Sequence, residues 1–351
     1  MIHSTAQPNG NRMTPTARGA VMLPVVRAGD VARRVAKSVS TRRDKSLNRL
    51  EFHAMGTHCR VNAHGGSEAV IREFQREVVS WVAAFEARYS RFIPDSLISR
   101  INAAAGEHWV ETDPETDRIF QLCQELFFFT RGAFDPSALP LIQLWNWKQT
   151  PPVRPAPEAI QATRELVGWN KIQRRPGGIF LPQRGMAIDL GGIGKEYAVD
   201  CVLNLAIQRG IPNVLVDFGQ DVRARGHAPD KTFWGVGLDN ALAPGQPWIG
   251  VPVTDHAVAT SGDYVRHFVL DGIRYGHILD PRTGYPALNE VRAVTVIAPS
   301  CTIAGLLVTS ACILGAQEGL RLLDLHPGAA GVITTNATRF YSRKFHEFIP
   351  A

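Results

Sequence analysis

Leu50-Glu-Phe-His-Ala-Met-Gly-Thr-His-Cys-Arg-Val-Asn-Ala63 carries the period of a β-strand on both sides of an interruption. Leu50, Phe52 and Ala54 alternate with polar neighbours, as do Cys59, Val61 and Ala63. That is the pattern of a strand with one buried face, broken at Met55-Gly56-Thr57. The period then changes. Val70, Ile71, Phe74, Val78, Trp81, Val82 and Phe85 fall three or four residues apart, which predicts an amphipathic helix over 68–88. A second helix follows Pro114 over 115–129, with Ile119, Leu122, Cys123, Leu126 and Phe127 inward and Gly132 ending it. The Pro-rich stretch 149–157 reads as a surface loop. Beyond it come a short helix over 157–167, a strand pair around Ile172 and Ile179, and a strand–loop–helix over 187–208. Strands are predicted over 213–217, 234–238, 257–260, 266–270, 273–277 and 293–298, then a buried helix over 302–314 and a last strand over 331–335. Helices and strands mixed without regular β-α alternation make the fold class α+β.

The chain has 351 residues and a formal net charge of +6, but the charge is unevenly spread. The first fifty residues hold ten Lys or Arg against Asp30 and Asp44, which leaves the remainder slightly acidic. The basicity therefore belongs to residues 1–48, read as an unordered leader without sustained periodicity. A reader of nucleic acid is not expected. No apolar run approaches the length of a membrane span, and the short run after Arg18 is broken by Pro24. The five cysteines lie far apart, with no C-x-x-C and no zinc spacing. A reduced, cytoplasmic setting is expected.

Common catalytic signatures are missing: there is no G-x-S-x-G, no H-E-x-x-H and no calcium loop. Asp189-Leu-Gly-Gly-Ile-Gly-Lys195 lacks the first glycine and the final Ser/Thr of a phosphate loop. Its three glycines before a helix, followed by a lysine, still suit an anionic ligand, although a tight turn explains them equally well. Gly132-Ala-Phe-Asp-Pro136, Asp217-Phe-Gly-Gln-Asp221, Thr260-Ser-Gly-Asp-Tyr264 and His277-Ile-Leu-Asp-Pro-Arg-Thr-Gly284 are further polar loops at element ends, where sites are commonly built. Each alone has a turn explanation.

Taken in order, these segments resemble the FAD:protein FMN transferases of the ApbE family. Met55-Gly-Thr57, Ser90-Arg-Phe-Ile-Pro-Asp-Ser96, Pro140-Leu141, Tyr197-Ala-Val-Asp200 and Val294-Thr-Val-Ile-Ala-Pro299 extend the resemblance from about Met55 to Gly315. It implies a mixed α and β fold with antiparallel-rich sheets and a flavin cleft between subdomains. It also implies Mg²⁺-dependent cleavage of FAD, transfer of FMN to a Thr or Ser hydroxyl of a target flavoprotein, and release of AMP. By position, Met55, Phe92, Ala133, Phe134, Asp135, Asp189, Lys195 and Leu279 match flavin-contacting positions. Gly192 matches a backbone ligand of the metal and Thr309 a side-chain ligand.

The chain departs from the family pattern at four of these places. Gly305 stands four positions before Thr309, where an aspartate that ligates the metal is expected. Glu196 stands where glycine is usual after the lysine, Gln220 where a second glycine is usual, and Phe92 where tyrosine is common. Loss of the aspartate weakens a Mg²⁺ site, since that hard cation is normally held by one or two carboxylates with phosphates and water. Glu196 is an alternative source of that carboxylate, from the other side of the site. Three readings stay open: an active transferase whose rate rises with Gly305→Asp, a flavin carrier or assembly factor without transfer, and a non-enzymatic interaction protein.

Overall fold

A computed structural model describes residues 27–243, 246–262 and 267–349. Its centre is a nine-stranded antiparallel sheet in which spatial order follows chain order. The strands are β1 (Ser40–Asp44), β2 (Leu47–Ala54), β3 (Thr57–His64), β4 (Asn213–Phe218), β5 (Asp221–Arg225), β6 (Ala257–Gly262), β7 (Val291–Ala298), β8 (Ala330–Thr335) and β9 (Arg339–Tyr341). The helices are α1 (Ala28–Lys37), α2 (Glu68–Tyr89), α3 (Leu97–Ala103), α4 (Pro114–Phe129), α5 (Leu139–Trp145), α6 (Pro157–Arg164), α7 (Gly194–Gln208) and α8 (Cys301–Leu325). This is the α+β architecture expected from the sequence.

The strand period decides which faces are covered. In β2 and β3 the alternating Leu50, Phe52, Cys59 and Val61 join Val216, Phe218, Val294 and Val296 on one face, packed on α2, α7 and α8. In β4 both faces are covered, which is why Val214-Leu215-Val216 is apolar without alternation: Val214 and Val216 face the helices, while Leu215 faces the other way. There Leu215, Val222, Val258, Ile297 and Val332 meet Trp234, Leu238, Val251 and Val253 of a hairpin formed by Trp234–Asp239 and Pro247–Val253. A third, smaller cluster holds Leu141, Trp145, Ile160, Tyr275 and Leu279. Trp145 is fully buried there and its indole N–H donates to the Gly284 carbonyl at 2.9 Å, anchoring the 277–284 loop to α5.

Local signals set the ends. Asp113 accepts from the Thr116 N–H at 2.9 Å and Pro114 occupies the first turn, so α4 begins where cap and proline agree. Gly219 turns β4 into β5 at φ +65°, and a Cβ there would lie 2.2 Å from the Thr57 hydroxyl oxygen. Only glycine lets this turn close against the one at 55–57.

The structure corrects several expectations. The supposed leader is ordered from residue 27: α1 packs on α2 and β2, burying Val31 and Val35, and β1 follows it into the sheet. Ala28 N–H donates to Asp95 at 2.9 Å, and Arg34 pairs with the buried Glu86 at 2.5 Å. Two apolar residues among charges leave too narrow a stripe to read as a helix. The first 26 residues of that leader lie outside the described residues. The expected strand near 187 is an extended segment whose ladder partner is a side chain. Asn102 accepts from Ile188 N–H at 2.7 Å and donates to its carbonyl at 2.9 Å. The helix expected over 302–314 runs on to Leu325 across a break at Gly315, φ +83°. Contrary to the hydropathy reading, α8 is long and apolar enough by length and composition to cross a membrane. Its apolar surface instead packs against β6, β7 and β8. The strand expected from 266 is described from His267, as His267–Leu270.

Candidate functional site

The turns at 55–57 and 219–221 close one end of the sheet. Beside them the first turn of α7 and the middle of α8 frame a cavity of about 610 Å³. Its walls include Met55, Ala133, Phe134, Asp135, Asp189, Gly192, Lys195, Leu279, Gly305 and Thr309. Segments as far apart in sequence as Met55 and Thr309 are thereby brought to one place. Phe92 is not among the lining residues. Its ring is 71% exposed and lies under the Arg91 guanidinium, 4.1 Å from its carbon. Of the Thr260–Tyr264 loop, Thr260, Ser261 and Gly262 line the cavity, while Asp263 and Tyr264 lie outside the described residues.

Each polar wall has a cause in the local fold. Asp189 accepts from the Arg91 Nε at 3.0 Å and from the Gly191 N–H at 3.1 Å, which fixes the glycine turn before α7. That helix starts at Gly194 without a side-chain cap, so its first turn presents backbone N–H groups and a partial positive charge. Asp135 accepts from Ser137 through its N–H at 2.8 Å and its hydroxyl at 2.6 Å, and from the Trp169 N–H at 3.3 Å. Burial pushes the Asp135 carboxyl above the usual carboxylate range, against those hydrogen bonds. Asp280 closes the 277–284 loop by accepting from its own Arg282 at 2.8 Å.

Two carboxylates meet Lys195 inside the cavity: Glu196, which the sequence offered as an alternative, and Asp221, which it did not assign to the site. Its ammonium donates to Asp221 and lies 3.4 Å from Glu196 Oε1. Asp221 and Glu196 are 5% and 7% exposed. Burial works against the Lys195 charge, but the two anions outweigh it and hold the ammonium above its ordinary range. Burial and then Glu196 push the Asp221 carboxyl up to about 7. One ammonium between two carboxylates leaves this buried group one negative charge in excess when all three are ionised. The available signal for Asp221 was its place at the end of the polar Asp217–Asp221 loop.

At Gly305 the geometry reverses an expectation. A Cβ there would lie 2.5 Å from Glu196 Cγ and 3.2 Å from its Oε1. An aspartate at 305 therefore collides with Glu196 rather than filling a gap, and adds a third carboxylate beside two. Gly305→Asp alone is expected to destabilise the fold by about 1–3 kcal/mol and not to raise any activity. Thermal unfolding of the variant checks this; an unchanged midpoint would refute it.

Among the described residues there is no cluster of three or more His, Cys, Asp or Glu placed to hold a metal. A cation here would draw on few carboxylates, with the Thr309 hydroxyl, backbone oxygen at Gly192 and phosphate oxygens of a ligand. That donor set suits Mg²⁺. The buried excess negative charge and a Glu196 Oε2 without a hydrogen-bond partner fit such a cation as well.

The family model described as "ApbE family" matches residues 55–333. A curated FAD:protein FMN transferase of Treponema pallidum is 31% identical over 306 residues, covering 82% of this chain and 83% of its own. One from Klebsiella pneumoniae is 30% identical over 287 residues, covering 78% of this chain and 80% of its own. The crystal structure of an ApbE protein from Thermotoga maritima superposes with a TM-score of 0.78 at 29% identity, over 87% of this chain and all of the other.

Proposed function

Because the chain belongs to the ApbE family, we infer that it is a transferase that cleaves FAD and passes FMN to a target flavoprotein. The observation that carries this reading is the convergence of Met55, Phe134, Asp135, Asp189, Lys195, Leu279 and Thr309 on one cavity at the uncapped start of α7.

In this reading the flavin lies toward Met55, Phe134 and Leu279, whose side chains offer apolar surface to the ring system. The two linked phosphates face the first turn of α7, where backbone N–H groups and the Lys195 ammonium bind anionic oxygens. The acceptor hydroxyl oxygen forms an ester bond to the phosphorus on the FMN side. The bond from that phosphorus to the bridging oxygen breaks, AMP leaves with the electron pair, and the hydroxyl proton passes to solvent. Lys195 stabilises charge developing on the transferred group. Arg91 keeps Asp189 and the glycine turn in position for it. Thr309, the Gly192 backbone oxygen and a carboxylate of the cavity would hold Mg²⁺, which when bound would supply charge neutralisation to the leaving phosphate.

The test is incubation of the purified protein with FAD and MgCl₂, with and without a flavin-acceptor domain bearing a target threonine. AMP release and a flavin-fluorescent acceptor band on a denaturing gel are expected, both lost when the threonine is replaced by alanine. Bound FAD without AMP at any Mg²⁺ concentration would instead identify a flavin carrier.

A further inference from the structure

We propose that Glu196, reaching across from α7 to the space above Gly305, supplies the carboxylate of the cation site in this chain. The proposal rests on the transferase reading for the identity of the cation and goes beyond it in assigning the ligand.

The side chain is not spent on its own helix. A glutamate in the third position of a helix commonly folds back to the N–H preceding the first turn. Here the Ile193 N–H is already bonded to the Leu190 carbonyl at 3.0 Å. Glu196 turns instead toward α8, into the volume a side chain at 305 would take. Gly305 and Thr309 are four residues apart on α8, hence neighbours on one face, and both line the cavity. A carboxylate over Gly305 is thus presented on the same side as the Thr309 hydroxyl. The acidic residue expected four positions before Thr309 is replaced by one arriving from the opposing helix, and the glycine is what admits it.

Satisfaction and charge point the same way. Glu196 is 7% exposed, and its Oε2 has no hydrogen-bond partner. An ionised carboxylate oxygen so buried is costly unless a donor or cation meets it. Lys195 does not suffice, because it is shared with Asp221, to which it is hydrogen-bonded. A role as mere counter-ion to Lys195 accounts for Oε1 and leaves Oε2 unexplained.

The probe is Mn²⁺ alone, titrated into the purified protein and followed by loss of the free-ion electron paramagnetic resonance signal. Wild-type protein is expected to bind one ion per chain. Glu196→Gln, which keeps size and polarity, is expected to weaken binding by roughly tenfold or more, while FAD binding in EDTA is not weakened, since a negative charge has been removed beside the diphosphate. The double variant Glu196→Gly with Gly305→Asp returns the carboxylate to α8 without a clash, and should recover Mn²⁺ binding to within about threefold of wild type. Unchanged Mn²⁺ binding by Glu196→Gln, or no saturable binding by wild type, overturns the assignment. Should Glu196→Gln fail to fold, the double variant decides: recovered binding supports the exchange and a folded protein without it refutes the exchange. Failure of wild type to bind FAD in EDTA would sink the transferase reading separately, leaving the Mn²⁺ result to judge Glu196 on its own.

Discussion

Replacing Lys195 by methionine is expected to slow AMP release from FAD by about 10²–10³-fold, the cost typical of losing one preorganised donor to a developing anion. Methionine keeps most of the stem and removes the charge. Lys195 is the only Lys or Arg among the described residues that line the cavity. It also stands between Glu196 and Asp221, so its loss leaves two buried carboxylates facing each other. The Asp221 carboxyl, already raised to about 7 by burial and by Glu196, then loses the ammonium that partly offsets both. Its proton is held more tightly at neutral pH. The variant should therefore melt at a lower temperature as well as react slowly. Measuring AMP by chromatography at saturating FAD separates the rate effect from weaker binding. A rate within fivefold of wild type would remove Lys195 from the reaction.

The second large effect lies away from the cavity floor. Asp200 accepts from the N–H groups of Cys301 at 2.8 Å and Thr302 at 2.9 Å, from the Thr302 hydroxyl at 2.7 Å and from Arg223 at 2.8 Å. One carboxylate on α7 thus caps α8 and ties both helices to β5. Asp200→Ala leaves a largely buried guanidinium and the buried start of α8 without their partner, and is expected to cost about 3–5 kcal/mol. For a domain of this size that is roughly 10 °C in melting temperature. A shift under 2 °C would show that the junction holds without it. FAD affinity measured well below the melting range should stay near wild type, which distinguishes a structural loss from a site defect.

The sequence made this residue conspicuous without saying why. Tyr197-Ala-Val-Asp200 looked like part of a functional signature, while the structure gives Asp200 a capping role between two helices. Elements with a wide apolar face were legible: α2 matches its periodicity from Glu68 to Tyr89, and the interruption at 55–57 became a turn at the cavity. What escaped were elements whose burial comes from tertiary context. α1 buries only Val31 and Val35. In β5, Asp-Val-Arg-Ala-Arg buries Val222 and Ala224 on one face, but its flanking charges disguise the alternation. At the site, a linear comparison registers Gly305 as a vacancy, because only three-dimensional packing shows which side chain stands over it. Phe92 shows a different gap between chain position and space. A position matched along the chain carries a ring turned outward, held by Arg91 outside the lining.

The seam between β3 and β4 has a kinetic meaning. Cys59 pairs with Phe218 and Val61 with Val216, so the middle of the sheet joins strands separated by most of the intervening domain. Neighbouring hairpins such as β2–β3 and β4–β5 can zip locally, but this pairing must wait until the loop between them is closed, at an entropic cost incurred before any contact rewards it. Gly219 meets Thr57 across that same seam. The ligand cavity therefore cannot exist in a half-folded chain, and acquisition of flavin affinity during refolding should report the late, rate-limiting closure of the sheet.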